Sequence, residues 1–470
     1  MRILLPTGAI TADIVREAAA GYPADVVVTG EIASFLSPRH LTELLRGSSY
    51  DLVIVSGMST ASFSDVEEET GVPVFRGPRH AADLRLVLPL IGTVTLSRTI
   101  PADDFLADKR KTEAGLTLKG KEAAAGWEYF IRGVKIGGGS RIKVLAEIMD
   151  AHRCAGLRDE VERFFESGAD IVDLGFGFDA TPADVRRCFQ DLHDIPGPLA
   201  VDTQDPALIL AALDRADLVL SLHDGNIPSV GEAVARAGVA VVVVPSGCTL
   251  GENCTRAREA GISCIIADPL IQPVGSGFTG SIRPDETGGY PLFFGAGNVA
   301  ELLDADSIGV NALLAGIACE LGASIIFISE HSDKTRGSVR EMRTATEMMV
   351  LAEGRPYPKD LGIDLLILKE KRRRREPPLS YREAIDAPEA PREIVYDPCG
   401  NFRIGIADGL IIAVIGERAY RGLRWVDVFS AIQQNGDVSL LDHAAYLGRE
   451  LYKAELAIRF GRSFEQDGDF

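Results

Sequence analysis

The middle of the chain alternates between short apolar runs and longer amphipathic stretches. From residue 142 onward, strand-like runs begin near positions 142, 170, 198, 218, 239, 264, 292 and 324. They read IKVLAEI, DIVDLGF, PLAVDT, LVLSLH, VAVVVVP, CIIADP, LFFGAG and SIIFIS. These runs are apolar without alternation, the pattern of parallel strands covered on both faces. Each gap holds one amphipathic helix, such as Leu157–Ser167 or Ser307–Leu321. Eight consecutive units at this spacing predict a closed (β/α)8 TIM barrel rather than an open doubly wound sheet.

The flanks have different rhythms. Runs at Arg2–Pro6, Asp25–Thr29, Asp51–Ser56 and Val72–Arg76 predict a small N-terminal α/β domain of Rossmann or flavodoxin type over residues 1–92. Its turn Thr7-Gly8-Ala9-Ile10-Thr11 is placed to accept an anion, but lacks G-x-G-x-x-G, and the module is read as a packing or docking unit. Residues 93–365 are assigned to the barrel domain. Residues 366–392 are a charged, proline-rich linker that includes Lys369–Arg375. Residues 393–470 predict a C-terminal α+β domain, with a hairpin turning at Asp408-Gly409 and a long helix over Asp442–Phe460.

Two glycine motifs are set aside. Gly115 to Glu122 nearly matches a phosphate-binding loop, but Glu122 stands where a magnesium-binding hydroxyl is required. Gly275-Ser-Gly277-Phe-Thr-Gly280 matches G-x-G-x-x-G formally, yet follows the sixth strand without clearly opening a helix. It is read as a mobile loop over the site.

Composition narrows the partners. A formal net charge of −19 over 470 residues argues against nucleic acid and anionic membrane. No apolar run reaches the ~18 residues of a membrane span. Seven cysteines, an odd number without a C-x-x-C pair, predict reduced thiols and a cytoplasmic protein with no signal peptide. A homo-oligomer, a dimer, is expected.

Polar residues gather at the C-terminal tips of the predicted barrel strands, where barrel enzymes keep their chemistry. The tips carry Glu147 and Asp150; Phe176-Gly177-Phe178-Asp179; Asp202; His223-Asp224-Gly225-Asn226; Asp268; Asn298; and Ser329-Glu330-His331, followed by Lys334 and Arg336. A pterin offers an edge of N–H donors and ring nitrogens. A buried carboxylate accepts two such bonds, and an asparagine both gives and takes one. Asp202, Asp268 and Asn298 suit that task. The aspartates also suit a metal, but no H-x-x-E or H-x-H grouping accompanies them, and no metal ligand is assigned.

These residues resemble the superfamily of dihydropteroate synthases and pterin-dependent methyltransferases. The segment SGADIVDLGFGFDATP is similar to the synthase motif around the second strand, LAVDT to that around the third, and IADPLIQPV to that around the sixth. The resemblance implies pterin contacts from Asp202 and Asp268; Asn226, at the tip of the fourth strand, is a further candidate pterin contact. The whole chain resembles a narrower family, the archaeal and methylotroph dihydropteroate synthase-related proteins, whose C-terminal motif D-H-A-A-Y-L-G-R-E-L runs here from Asp442 to Leu451. That family implies the tetrahydromethanopterin pathway, a folate-analogue route.

The departures from the synthase pattern bear on chemistry. No asparagine closes the first strand, Asn298 replaces a lysine, and Glu330-His331 replaces Arg-x-His. The first expectation is a transferase that condenses a dihydropterin methyl diphosphate with an arylamine, with Lys334 and Arg336 as catalytic cations and Mg2+ as a companion of the diphosphate. The alternatives are a pterin-dependent methyltransferase, because GAGNVAELL is closer to the methyltransferase pattern, and a non-catalytic pterin-binding or assembly protein.

Overall fold

The computed structural model describes residues 1–104, 107–369, 381–387 and 395–468. The chain forms two compact units, 1–369 and 370–470. The charge run Lys369–Arg375 lies, beyond Lys369 itself, outside the described residues.

The first unit opens with four parallel strands, β1 (Ile3–Thr7), β2 (Ala24–Val28), β3 (Leu52–Val55) and β4 (Val74–Arg76), in the order β2-β1-β3-β4. All four fall on the predicted apolar runs. The near-match at Gly115 to Glu122 lies within the helix Ala107–Ala124 and makes no phosphate loop. Glu122 instead accepts from the Arg141 N–H and pairs with Lys143 at 3.1 Å. A hairpin follows, β5 (Tyr129–Ile131) and β6 (Val134–Ile136), turning at Arg132 and Gly133 with positive φ.

The barrel strands are β7 (Lys143–Ile148), β8 (Ile171–Gly175), β9 (Leu199–Asp202), β10 (Leu218–Leu222), β11 (Ala240–Val243), β12 (Ile265–Ala267), β13 (Leu292–Gly295) and β14 (Ala323–Ser329). All are parallel, and β14 pairs with β7 to close the ring. The two faces of each strand separate cleanly. Val144, Val172, Val201 and Val219 face outward into the helix layer. Leu145, Ile171, Ala200, Leu218, Val242, Ile266, Phe293 and Ile325 fill the interior. Ile131 and Ile136 of the hairpin join this inner cluster, so the hairpin plugs the barrel's N-terminal end. With that end filled by apolar side chains, the open end is the C-terminal one.

The second unit holds the antiparallel sheet β15 (Arg403–Ala407), β16 (Leu410–Ile415) and β17 (Arg418–Gly422), with helices Trp425–Gln434 and Leu441–Phe460. The predicted turn is present, with Asp408 at φ 51 and Gly409 at φ 70. Asp397 is the unit's polar hub. Its carboxylate accepts from the N–H groups of Cys399, Ser439 and Leu440, from the Ser439 hydroxyl, and faces His443 Nδ1 at 3.1 Å. His443 and Glu450 of the D-H-A-A-Y-L-G-R-E-L motif are thereby structural: Glu450 is fully buried and holds Lys453 at 3.0 Å.

Candidate functional site

A strand's two-residue period carries its inward face from the apolar layer to the mouth. Glu147 follows Leu145, Asp173 follows Ile171, and Asp202 follows Ala200. Register sets Glu147 directly opposite Asp173 and places Asp202 opposite Gly175. Carboxylate oxygens of all three lie within 4.8 Å of one another. Opposed like charges repel, so the arrangement costs stability unless protons, a cation or ligand donors arrive.

The chemistry of the three follows from burial. Asp173 is fully buried, and neither carboxyl oxygen meets a hydrogen-bond donor among the described residues. Burial, then Asp202 and Glu147, push its pKa well above the ordinary carboxylate value. Glu147 is pushed up to about 7, chiefly by burial and next by Asp202. Asp202 is raised by burial, although Ser221 donates to its Oδ1 at 2.9 Å.

Above this floor lie two adjoining cavities of about 620 and 350 Å³, of the size that takes a small molecule. Both are lined by Glu147, Met149 and Asp202. The larger adds Asp150, Phe176, Phe178 and Asp205; the smaller adds Asn298, Glu301, Phe327 and His331. Among the described residues, no lysine or arginine lines either one. Phe178 is fully exposed at the rim.

The expected site residues divide. Asp202 and Asn298 line the cavities. Asp268 lies just after β12 and is only 7% exposed; it is outside the lining, and its Oδ1 accepts from the Leu270 N–H at 2.8 Å. Burial raises its pKa to about 7, with a smaller push from Asp202. Leu270 itself is held at φ 60, in the left-handed region. Asn226 is 1% exposed; its Oδ1 accepts from the His223 N–H, and its Nδ2 donates to Ser221 O. It therefore braces the Ser221 that holds Asp202.

Lys334 and Arg336 are not among the residues that line the cavities. Lys334 pairs with Asp304 at 2.9 Å, and Arg336 is exposed near Glu160. Helix Ser338–Ala352 starts where barrels often seat a phosphate. Here Glu330 Oε1 accepts from the Val339 N–H, while Oε2 pairs with Arg163 at 2.9 Å. A carboxylate of the chain thus occupies that seat. The G-x-G-x-x-G segment differs from its sequence reading as well, because Gly277 opens a one-turn helix, Phe278–Ser281.

Asp173 and Glu301 escape a reading of strand tips. Asp173 sits mid-strand, and only the period from Ile171 marks it as inward. Glu301 accepts from Ser332, Thr335, Ser329 and the His331 N–H. Burial pushes its carboxyl up, but those bonds outweigh it and hold the group below its ordinary value. The floor trio supplies only oxygen donors, the set that Mg2+ takes, and Asp173 has both oxygens open to it. These residues therefore fit the ion.

A family described as PterinBD-DUF4346 matches residues 396–467. The "Uncharacterized protein MJ0107" of Methanocaldococcus jannaschii is 32% identical over 522 aligned residues, covering 100% of this chain and 99% of that protein. Among solved structures, the dihydropteroate synthase of Yersinia pestis matches at 20% identity and a TM-score of 0.36, over 48% of this chain and 97% of that one. That of Thermus thermophilus in complex with 6HMPPP matches at 20% identity and a TM-score of 0.35, over 44% and 92%.

Proposed function

We propose, from the premise that this chain belongs to the dihydropteroate synthase-related family that includes MJ0107 of Methanocaldococcus jannaschii, that it binds a reduced pterin at the barrel mouth. The observation that carries this reading is a shortage of donors. The buried carboxyls of Asp173 and Asp268 and the half-buried ones of Glu147 and Asp202 have between them few N–H or O–H groups among the described residues to accept from. The amidine edge of a pterin is a row of donors. Asp202 and Asp268 would accept from it, Asn298 would give and take one bond, and Asn226 would hold the Ser221 that fixes Asp202. The pterin's ring would then displace water from the cavity and lie beside Phe176.

The reaction follows from the charge of the site. Condensation of a dihydropterin methyl diphosphate with an arylamine, in tetrahydromethanopterin assembly, is the reading that the resemblance favours. It needs positive charge at the leaving group, which no described cavity side chain offers. Mg2+ held by Glu147, Asp173 and Asp202 would supply that charge when bound. Glu147 would then be ionised and Asp202 shared between ion and ring.

A second reading, methyl transfer from a pterin nitrogen, is favoured by the carboxyls of Glu147 and Asp268, both pushed up to about 7. A carboxylic acid still protonated near neutrality donates to a leaving nitrogen. The two reactions separate in one assay. The purified chain is given the pterin diphosphate with 4-aminobenzoate and Mg2+, and separately methyl-tetrahydromethanopterin with a corrinoid acceptor. Diphosphate release supports condensation, methyl-corrinoid absorbance supports methyl transfer, and neither with intact pterin binding supports the non-catalytic role. Absence of pterin binding sinks all three. A homodimer in the cytoplasm belongs to the same proposal, and sedimentation tests the dimer.

A further inference from the structure

A second convergence of metal-ligating groups lies beside the cavity, on the two loops that follow β7 and β8. Asp150 and His152 come from the first loop and Asp179 from the second, and one ligand atom from each lies within 4.8 Å of the other two. We propose that these three residues form a divalent transition-metal site at the rim, distinct from the all-oxygen floor.

The imidazole points to a ligand independently of the two acids. The His152 side chain is 7% exposed, yet neither ring nitrogen has a hydrogen-bond partner among the described residues. A buried imidazole normally finds a partner for each nitrogen, and one left bare is costly. One of those nitrogens, Nε2, faces Asp179 Oδ1 at 3.4 Å, outside hydrogen-bond geometry. The ring is held flat against Phe176, with centroids 6.2 Å apart and planes 28° apart. That packing fixes its direction before any ligand arrives.

The backbone is shaped to bring the acids in. Asp150 sits at φ 47, ψ 46, a left-handed conformation that a non-glycine residue adopts at a cost. A Cβ on Gly177 would lie 2.6 Å from Asp150 Oδ1, so a side chain there would push the carboxylate out of its present position. Asp179 divides its oxygens: Oδ2 pairs with Arg153, leaving Oδ1 toward the imidazole. Arg153 thus orients the ligand from outside, the part that partners of metal-bound carboxylates play.

The donor set names the class of ion. One imidazole nitrogen with two carboxylate oxygens is a borderline set, suited to Zn2+, Mn2+ or Co2+ rather than to Ca2+. Bonds of about 2.0–2.2 Å place ligands roughly 3–3.5 Å apart, so a small inward movement completes the site. Three protein ligands leave positions open toward the cavity, which Asp150 also lines. A cation there would add positive charge at the mouth, where among the described residues no lysine or arginine lines the cavities.

The test uses Co2+ alone, with no pterin, so its outcome is independent of the proposed function. The full chain is stripped with dipicolinate, dialysed against Co2+, and read by metal content and visible d–d absorption. One Co2+ per chain is expected at the rim, over and above any that the floor carboxylates take up, with a d–d band typical of low-symmetry nitrogen and oxygen coordination. His152→Ala and Asp179→Asn should each weaken binding at least tenfold and remove the band. Asp179 is half exposed, so Asp179→Asn keeps the fold even if the buried His152→Ala does not, and circular dichroism confirms this. Glu147→Gln and Asp202→Asn should leave the band unchanged. The proposal is overturned if no stoichiometric Co2+ binds, if binding survives Asp179→Asn, or if the Glu147 and Asp202 variants abolish it.

Discussion

Glu330 Oε1 accepts from the backbone N–H of Val339 at 3.0 Å, so the helix end that could have seated a phosphate is capped from within. Its side chain is 2% exposed, and its other oxygen holds Arg163. Glu330→Ala should therefore destabilise the first unit by about 1–2 kcal/mol, chiefly through the lost cap, since Arg163 keeps its pair with Glu160. Urea unfolding measures this. A midpoint equal to that of the unaltered chain would show that the cap contributes nothing.

Asp173 carries the opposite expectation. Its buried, donorless carboxyl faces Glu147 and lies near Asp202, and the fold bears that cost for the sake of the site. Replacing it with a similar apolar volume, Asp173→Leu, should stabilise the ligand-free protein by about 1–3 kcal/mol while removing Mg2+ binding at the floor. Thermal unfolding and calorimetry read the two effects. A destabilised protein would mean that Asp173 has a partner holding it in place.

The raised carboxyls set a pH dependence. Glu147 and Asp268, near 7 in the fold, are ordinary acids in the unfolded chain, so the native state binds more protons between about pH 4 and 7. Their contribution to stability is therefore full at the acid end of that window and lost as pH rises through 7. Pterin binding to the ionised form runs the other way and should strengthen from pH 5.5 to 8. Asp268→Asn should flatten that rise. Calorimetry across the range checks both statements, and an affinity that falls with pH would contradict them.

Asp397 in the second unit has the reverse sign. Despite its burial, bonds from Ser439, Cys399 and Leu440 hold its carboxyl well below the usual range. Its contribution is present above the unfolded pKa and lost as pH falls through the acid range. Trp425 reports on this unit, since its backbone N–H donates to Glu455 and its ring packs on Phe429. Its fluorescence should show acid unfolding that begins at higher pH in Asp397→Asn.

The barrel was legible because strands buried on both faces leave uninterrupted apolar runs, and all eight predicted starts meet a strand. The hairpin at Asp408-Gly409 was legible because φ > 0 selects those residues. Its third strand, Arg418–Gly422, was missed: RAYRG is an edge with only Tyr420 buried, and it carries no apolar run. The plug β5–β6 was missed because each strand has three residues. Tip residues such as Glu147, Asp150, Asp179 and Asp202 could be named from the pattern. That Asp173 joins them depends on strand register, and that His152 meets Asp179 depends on two loops converging. Neither relation is written in local sequence. Lys334 and Arg336 stand out by their charge, and charge alone does not say that Asp304 and Glu160 lie beside them.

In the proposed function a pterin supplies the donors that the mouth carboxyls lack. Isothermal calorimetry of the whole chain with a dihydropterin at pH 7.5 tests it most directly, alongside Asp202→Asn and Asp268→Asn. One site per chain is expected, weakened at least tenfold by either substitution. No heat of binding at millimolar pterin, or binding that both substitutions leave unchanged, would contradict it.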